Sequence, residues 1–257
     1  MLDCSASIVA YNNSPATIRA AAKSFLDCPL KVSLSVVDNS NQPFLKAALE
    51  GLALNYHFYG SNAGYGGANN WSIQHSPESR FHLIMNPDIV IRPGTVERLV
   101  EFMDKNPSVG IVCPRVLNED GSDQYLNKRY PNVLDLFARR FFPKFLRKLL
   151  KSRLDRYEMK DIGYDAICDV EVMSGAFMFC RKDVLSALKG FDERFFLYFE
   201  DFDLSRKFQQ SGYRTVYYPD AAVTHLWERG AYKNIRMAII FIVSMCRYFN
   251  KWGWKWR

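Results

Sequence analysis

The six cysteines, Cys4, Cys28, Cys113, Cys168, Cys180 and Cys246, include no CxxC pair. That excludes a zinc knuckle and a dithiol redox site. Several of them sit in apolar runs and read as buried thiols. No apolar stretch approaches the roughly 20 residues that cross a bilayer. The longest, Met237 to Cys246, is much shorter and contains Ser244. The first residues hold an acid and a strand-like run, not a basic region before a long apolar stretch. No secretory signal is read there, and a reducing, cytosolic compartment is expected. Internal repeats and low-complexity linkers are also missing. After the first strand there is no Gly-rich basic loop, only Tyr11-Asn12-Asn13-Ser14. A nucleotidyltransferase that cradles a triphosphate would need such a loop.

What is present is a chain of 257 residues, 48% hydrophobic and 24% charged, enough for one large α/β domain with a small appendage. The net charge of +7 is unevenly spread. Lys128 to Lys160 carries eleven Lys/Arg against three Asp/Glu, and Arg229 to Arg257 carries seven against none. The remaining body is therefore acidic. Basic segments suit anionic lipid head groups or nucleic acid, or form a plain solvated surface. Nucleic acid leaves the acidic body unexplained, so no nucleic-acid partner is expected.

The first half alternates strand and helix. Ala6 to Tyr11 is a short apolar strand, and Ser14-Pro15 opens a helix to about Leu26. Val32 to Val37 is a β-branched strand, followed by a helix from about Pro43 to Leu54 and a short strand near Tyr56 to Tyr59. Gly64-Tyr65-Gly66-Gly67 leads into a helix to about His75. Phe81 to Met85 is a strand, Pro93 to Lys105 a helix and Val109 to Cys113 a strand. This order predicts a parallel sheet with helices on both faces. Further on, Leu134, Phe137, Phe141, Phe145 and Leu149 recur at helical spacing among Arg and Lys, and Pro143 divides them into two amphipathic helices, which suit a membrane surface or pack on the domain itself. Val170 to Phe179 reads as a strand, Glu200 to Gln210 as a helix capped by Gly212, and Thr215 to Tyr218 and Ala222 to His225 as strand ends.

In such sheets ligands bind at the carboxyl ends of the strands. Tyr11-Asn12, Asp38-Asn39, Asn62, Asn86 and Asp88 fall at those ends, which predicts one nucleotide-sized site along that edge. Ordinary turn chemistry explains any one of them alone. Asp88 begins a loop after an apolar strand and is a candidate metal ligand. Glu200, Asp201 and Asp203 follow Phe195-Phe196-Leu197-Tyr198-Phe199, and carboxylates beside so much apolar surface are shifted toward basicity. Acids at a helix N-terminus also simply complement its dipole. His225 is either a ligand or a satisfied structural residue.

Eight segments stand in one order. They are Val9-Ala10-Tyr11-Asn12; Val36-Val37-Asp38-Asn39-Ser40; Asn62-Ala63-Gly64-Tyr65-Gly66-Gly67-Ala68-Asn69-Asn70; Met85-Asn86-Pro87-Asp88; Ser174-Gly175-Ala176; Gly190-Phe191-Asp192-Glu193; Glu200-Asp201-Phe202-Asp203-Leu204; and His225. Together they resemble glycosyltransferase family 2, the inverting class with the GT-A fold, and within it the bacterial rhamnosyltransferase-like members. The resemblance implies an α/β GT-A fold, a Rossmann-like, mostly parallel sheet flanked by helices. It implies Asp201 as catalytic base and Glu200 as a residue positioning acceptor or loop. Tyr11, Asn12, Asp38, Asn39, Asn62, Gly64, Asn69 and Asn86 would bind the nucleotide sugar. Asp88 and His225 would meet a divalent metal ion, Mg2+ or Mn2+. The family's first metal-motif Asp is Asn86 here, which leaves one carboxylate in that motif.

The resemblance further implies a nucleotide-sugar donor, dTDP-rhamnose or a UDP-sugar, and a lipid-linked glycan acceptor in cell-surface polysaccharide biosynthesis, such as O antigen of lipopolysaccharide. A catalytically silent sugar-nucleotide-binding homologue is the alternative. Residues 1–228 are expected to form the GT-A domain, with a basic helical insertion at about 127–161. Residues 229–257 form a basic aromatic tail, where Trp252, Trp254 and Trp256 alternate with Lys251, Lys255 and Arg257. Such a tail suits an anionic membrane surface, at the inner face of the cell membrane, or a homo-oligomer contact.

Overall fold

The computed structural model describes residues 1–227 and 235–257, apart from the side chain of residue 144. The boundary expected at residue 228 lies outside the described residues.

The sheet is built from its first strand outward. β1 (Leu2–Ala10) runs parallel to β2 (Val32–Asp38) on one side and to β4 (Ser79–Met85) on the other, and β3 (Asn55–Phe58) extends the β2 edge. Alternation along β1 sorts its side chains. Ala6, Ile8 and Ala10 meet the helices α1 (Pro15–Leu26) and α2 (Leu45–Ala48) in one core, whereas Ser5 and Ser7 face the other side. There His82 lies between the two serines, with Nδ1 2.7 Å from Ser5 Oγ and Nε2 3.2 Å from Ser7 Oγ. Burial, helped by Lys182, drives its pKa down to about 3, so the ring is neutral.

Beyond β4 the sheet changes direction. After β5 (Ile89–Ile91), α4 (Thr95–Lys105) and β6 (Val109–Leu117), the chain makes an excursion and returns as β7 (Cys168–Asp169) and β8 (Phe177–Arg181). β8 slots antiparallel between β4 and β6. β9 (Arg214–His225) pairs parallel with β6 and carries β5 and β7 antiparallel. The order is β3-β2-β1-β4-β8-β6-β9-β5. Because β8 is antiparallel, its start lies at the carboxyl edge of β4, where Phe177 pairs with Met85. Because β5 is antiparallel to the end of β9, Ile89 pairs with His225.

The opposite face is covered by α3 (Gly64–His75), α8 (Lys182–Ala187) and α9 (Glu200–Gln210), through Ile73, Leu185, Leu204 and Phe208. The excursion contains three helices, α5 (Val133–Phe141), α6 (Lys144–Leu149) and α7 (Lys151–Tyr157), where two were expected. Asn132 caps α5 by accepting the Asp135 N–H at 2.9 Å. Finally α10 (Ile235–Trp252) buries Met245, Tyr248 and Phe249 against Leu136, Tyr157, Phe195 and Phe199.

Two expectations are corrected. The helix at 43–54 shrinks to α2, with Gly51 left-handed at φ +81° just after it. Val170 to Phe179 is not one strand. Val172 bridges to Lys128 instead, and Ser174 to Ala176 turn toward α9.

Candidate active site

Two acidic poles meet at the carboxyl edge of the sheet. The first is the start of α9. Tyr198 and Phe199 both hold left-handed backbone, at φ +69° and +70°, and lead directly into Glu200 and Asp201. Bulky side chains at such φ values mark a loop held by its surroundings. Asp201 Oδ2 accepts the Gly175 N–H at 2.9 Å, and Oδ1 accepts the Phe202 N–H at 2.9 Å. The two amides favour the carboxylate, but burial outweighs them and raises the Asp201 pKa. Glu200 is buried, and burial followed by the neighbouring Asp201 charge raises its pKa well above the ordinary range. Its Oε2 has no hydrogen-bond partner among the described residues.

The second pole is Asp88 with His225. Their Oδ1 and Nε2 atoms lie 3.1 Å apart. Gln124 orients the ring. Its amide N–H donates to the His225 carbonyl at 3.0 Å, so its Oε1 faces Nδ1, 2.7 Å away. Nδ1 therefore carries the proton and donates. In the neutral ring, Nε2 then points a lone pair at a carboxylate oxygen. Two acceptors facing each other need a proton or a cation between them. Among the described residues no three metal-ligating side chains gather. One carboxylate plus one imidazole fits a divalent ion that takes its other ligands from substrate phosphates and water.

The turn Ser174-Gly175-Ala176 joins the poles. Gly175 gives its N–H to Asp201, and the Ala176 carbonyl accepts the Asn86 N–H at 2.9 Å. The Tyr65 hydroxyl donates to the Gly175 carbonyl at 2.7 Å. Burial chiefly, then Glu200, Asp201 and Asp88, push the Tyr65 pKa up.

The remaining expected residues fall along this edge toward β1 and β2. Tyr11 is exposed, and Asn12 beside it turns left-handed at φ +56°. Asp38 is buried and accepts from the Ser40 N–H at 3.0 Å and the Tyr56 hydroxyl at 2.7 Å. Asn39 Nδ2 donates to the Gly64 carbonyl at 3.1 Å, while its buried Oδ1 has no partner among the described residues. Asn62 Oδ1 accepts the Gly64 N–H at 2.9 Å. Gly64 itself is left-handed at φ +79°, and a Cβ there would stand 2.5 Å from the Phe196 carbonyl. The aromatic loop is thus seated directly on α3. Asn69 lies deeper, below the edge. It is fully buried, accepting from Ser7 Oγ at 2.6 Å and donating to the Tyr65 carbonyl at 3.0 Å. Its amide oxygen and nitrogen thus tie β1 to α3.

Sequence reasoning missed Gln124, Tyr65, Lys128 and Tyr157. Lys128 is buried, donates to the Leu126 carbonyl at 2.8 Å, and lies within electrostatic reach of Asp201. Burial, then Arg139, drive its pKa down to about 7. The Tyr157 hydroxyl is buried without a partner among the described residues, and Asp201 acts on it too. Both come from the excursion, whose residues are distant in sequence from the acids they face.

The tail lies against its own body. Trp252 Nε1 donates to Asp203 Oδ1 at 2.8 Å, and Lys251 contacts the same oxygen at 2.7 Å. The Lys255 and Trp256 carbonyls accept the Val133 and Leu134 N–H groups at 2.8 and 3.3 Å.

A model of the family described as glycosyltransferase like family 2 matches residues 8–237. Over 235 residues the chain is 26% identical to the N-acetylglucosaminyl-diphospho-decaprenol L-rhamnosyltransferase of Mycobacterium tuberculosis, covering 84% of this chain and 74% of that one. Over 167 residues it is 30% identical to the O-antigen chain rhamnosyltransferase WbaN of Salmonella anatum, covering 64% of this chain and 47% of that relative, about half its length. The mannosyltransferase PcManGT of Pyrobaculum calidifontis, solved with GDP-Man and Mn2+, superposes with a TM-score of 0.65 at 18% identity, over 97% of this chain and 64% of that one. That last likeness is one of fold.

Proposed function

The chain belongs to glycosyltransferase like family 2 and is a glycosyltransferase with rhamnosyltransferase relatives, and on that premise we propose that it transfers L-rhamnose from dTDP-L-rhamnose, with inversion, to a hydroxyl of a lipid-diphosphate-linked glycan. The observation that carries this reading is the pair of acidic poles joined through Ser174-Gly175-Ala176. The names of the two relatives support rhamnose as the sugar, and the decaprenol-linked acceptor of the mycobacterial relative supports a lipid carrier. The reaction then takes place at the inner face of a membrane.

Asp201 is the general base. The acceptor hydroxyl gives its proton to the Asp201 carboxylate as its oxygen bonds to the anomeric carbon. The bond from that carbon to the diphosphate breaks, and the electron pair leaves with the nucleotide. Gly175 and Phe202 hold both carboxylate oxygens, so the base is fixed before the acceptor arrives. Asp88 and His225, with Gln124 setting the tautomer, would hold a divalent cation at the diphosphate. Such a cation offsets the negative charge that develops on the leaving group. Tyr11 and Asp38, with Asn39 nearby, lie along the edge expected to take the nucleotide's base.

The test separates binding from chemistry. Asp201→Asn keeps the shape of the side chain and removes its basicity. Calorimetric affinity for dTDP with Mn2+ is expected to stay within about twofold, while kcat falls by about 100-fold or more. Wild-type turnover in the variant removes Asp201 from the role of base.

A further inference from the structure

We infer that α10 and the α5–α6 segment together form a platform that inserts its apolar face into an anionic bilayer surface. The inference rests on the lipid-linked acceptor proposed above. It extends the membrane contact from the tail tryptophans and the basic helices of the insertion, which the sequence singled out, to the exposed side of α10.

The first stripe is on α10. Met245, Tyr248 and Phe249 face the body, while Ile235, Ile239, Ile242 and Val243 are exposed, Ile235 at 81%. Their spacing of four, three and one places them on one side of a helix. The second patch is Phe141, at the end of α5, with Phe145 and Leu149 one turn apart on α6; they are exposed at 42, 68 and 80%. The stripe and the patch adjoin. The Phe141 and Phe241 rings meet edge to face at 6.3 Å, and the Arg140 guanidinium sits 4.7 Å over Phe241. Scattered surface leucines need no explanation, but seven large exposed apolar side chains on α10 and the adjoining α5–α6 segment do.

Charge selects the occupant. Arg236 and Arg247 are the charged residues at the exposed positions of α10 before Lys251, and α10 carries no acid. Beside the second patch stand Arg140, Arg147 and Lys148. The three acids of 128–160 are each paired with cations of the same segment: Asp135 with Arg153, Asp155 with Lys151, and Glu158 with Arg139 and Lys160. The face is therefore apolar with a cationic border, the pattern that binds anionic head groups while burying side chains among acyl chains. A second copy of this chain would bring the same positive border against itself. No helix among the described residues is long and apolar enough to cross a membrane, which fits a segment lying on the surface.

The platform also touches the machinery. Ser244 Oγ donates to the Leu197 carbonyl at 2.9 Å, and Arg140 lies 5.4 Å over the Tyr198 ring. Both contacts fall in the loop that leads into Glu200 and Asp201. A bilayer against α10 thus supports the aromatic loop beside the carboxylates that meet the lipid-linked acceptor.

Co-sedimentation with phosphatidylcholine vesicles, with and without phosphatidylglycerol, tests this on the full chain. Wild type is expected to bind only the anionic vesicles. The double variant Ile239→Ser/Ile242→Ser, and separately Phe145→Ser, should lower that partition by at least about tenfold. Arg147→Gln/Lys148→Gln should lower it in low salt more than in high salt. All of these should transfer sugar to a detergent-dispersed lipid acceptor as wild type does. Three results overturn the inference: no binding of wild type to anionic vesicles, equal binding by the variants, or a wild-type dimer that Ile239→Ser/Ile242→Ser dissociates. Failure of wild type to use any lipid-linked acceptor overturns the function proposed above and is read separately from the vesicle result.

Discussion

Glu200 is a residue whose native surroundings oppose its charge. Its Oε2 is buried without a partner among the described residues, and Asp201 stands next to it. Its folded pKa is raised, so the folded state holds the proton more tightly than the unfolded chain. The associated stability is full below the ordinary glutamate pKa of about 4.3 and is lost as pH rises through the folded value. Glu200→Gln removes the charge while keeping the shape. Thermal unfolding at pH 7.5 should show the variant a few degrees more stable than wild type, with the gap closing toward pH 4. A variant less stable than wild type at pH 7.5 would mean that the carboxylate finds a compensating partner. Transfer activity should fall in the same variant, because a site that retains an unfavourable charge retains it for use. Neighbouring residues carry the contrast. Asp203, two positions on, is anchored by Trp252 and Lys251 and serves to fasten α10 to α9.

At the scale of elements, α3 clamps the turn that precedes the aromatic loop. Asn70 Oδ1 accepts the Phe191 N–H at 2.8 Å, and Nδ2 donates to the Phe191 carbonyl at 3.0 Å and to Glu193 Oε1 at 2.9 Å. The Gly190-Phe191-Asp192-Glu193 motif is thus a turn held by a helix, and Gly190 is required there twice over. Its φ is +59°, and a Cβ would stand 2.2 Å from Asn70 Oδ1. Gly190→Ala should cost about 2–4 kcal/mol in urea unfolding. Gly212→Ala, at φ +87° with open space around it, should cost only about 1 kcal/mol. Equal costs would mean that the Asn70 clamp yields. The same scale shows where periodicity succeeds. α9 was readable from Glu200 to Gln210 because acids open it and Gly212 closes it. The run 170–179 misled because its apolar alternation continues through residues whose backbone is diverted: Val172 pairs with Lys128, and Gly175 spends its N–H on Asp201. A ladder hydrogen bond given up to an active-site carboxylate leaves no trace in hydrophobic pattern. β5, at three residues, is too short to show any period.

At the scale of the whole molecule, the site draws on both ends of the sheet. Tyr11 and Asp38 follow β1 and end β2, whereas Asp88 and His225 lie at the β5–β9 edge. The polar residues at strand ends were legible one by one, since each ends an apolar run. Their partners were not: Gln124 and His225 are 101 residues apart, and only the pairing of β5 with β9 brings Asp88 to them. A ligand that touches both ends of the sheet must stabilise the global fold, not one loop. For dTDP at 100 times its dissociation constant the gain is about 2.7 kcal/mol, or about 5–10 °C in melting temperature for a chain of this size. The two protein donors, Asp88 and His225, are too few to hold a cation firmly alone. Mn2+ by itself should therefore shift the melting temperature little, and dTDP with Mn2+ should shift it by more than the two separate shifts combined. Asp88→Asn should abolish that excess while preserving the shift produced by dTDP alone. Strictly additive shifts in wild type would separate the cation from the diphosphate and assign the Asp88–His225 pair to holding β5 against β9.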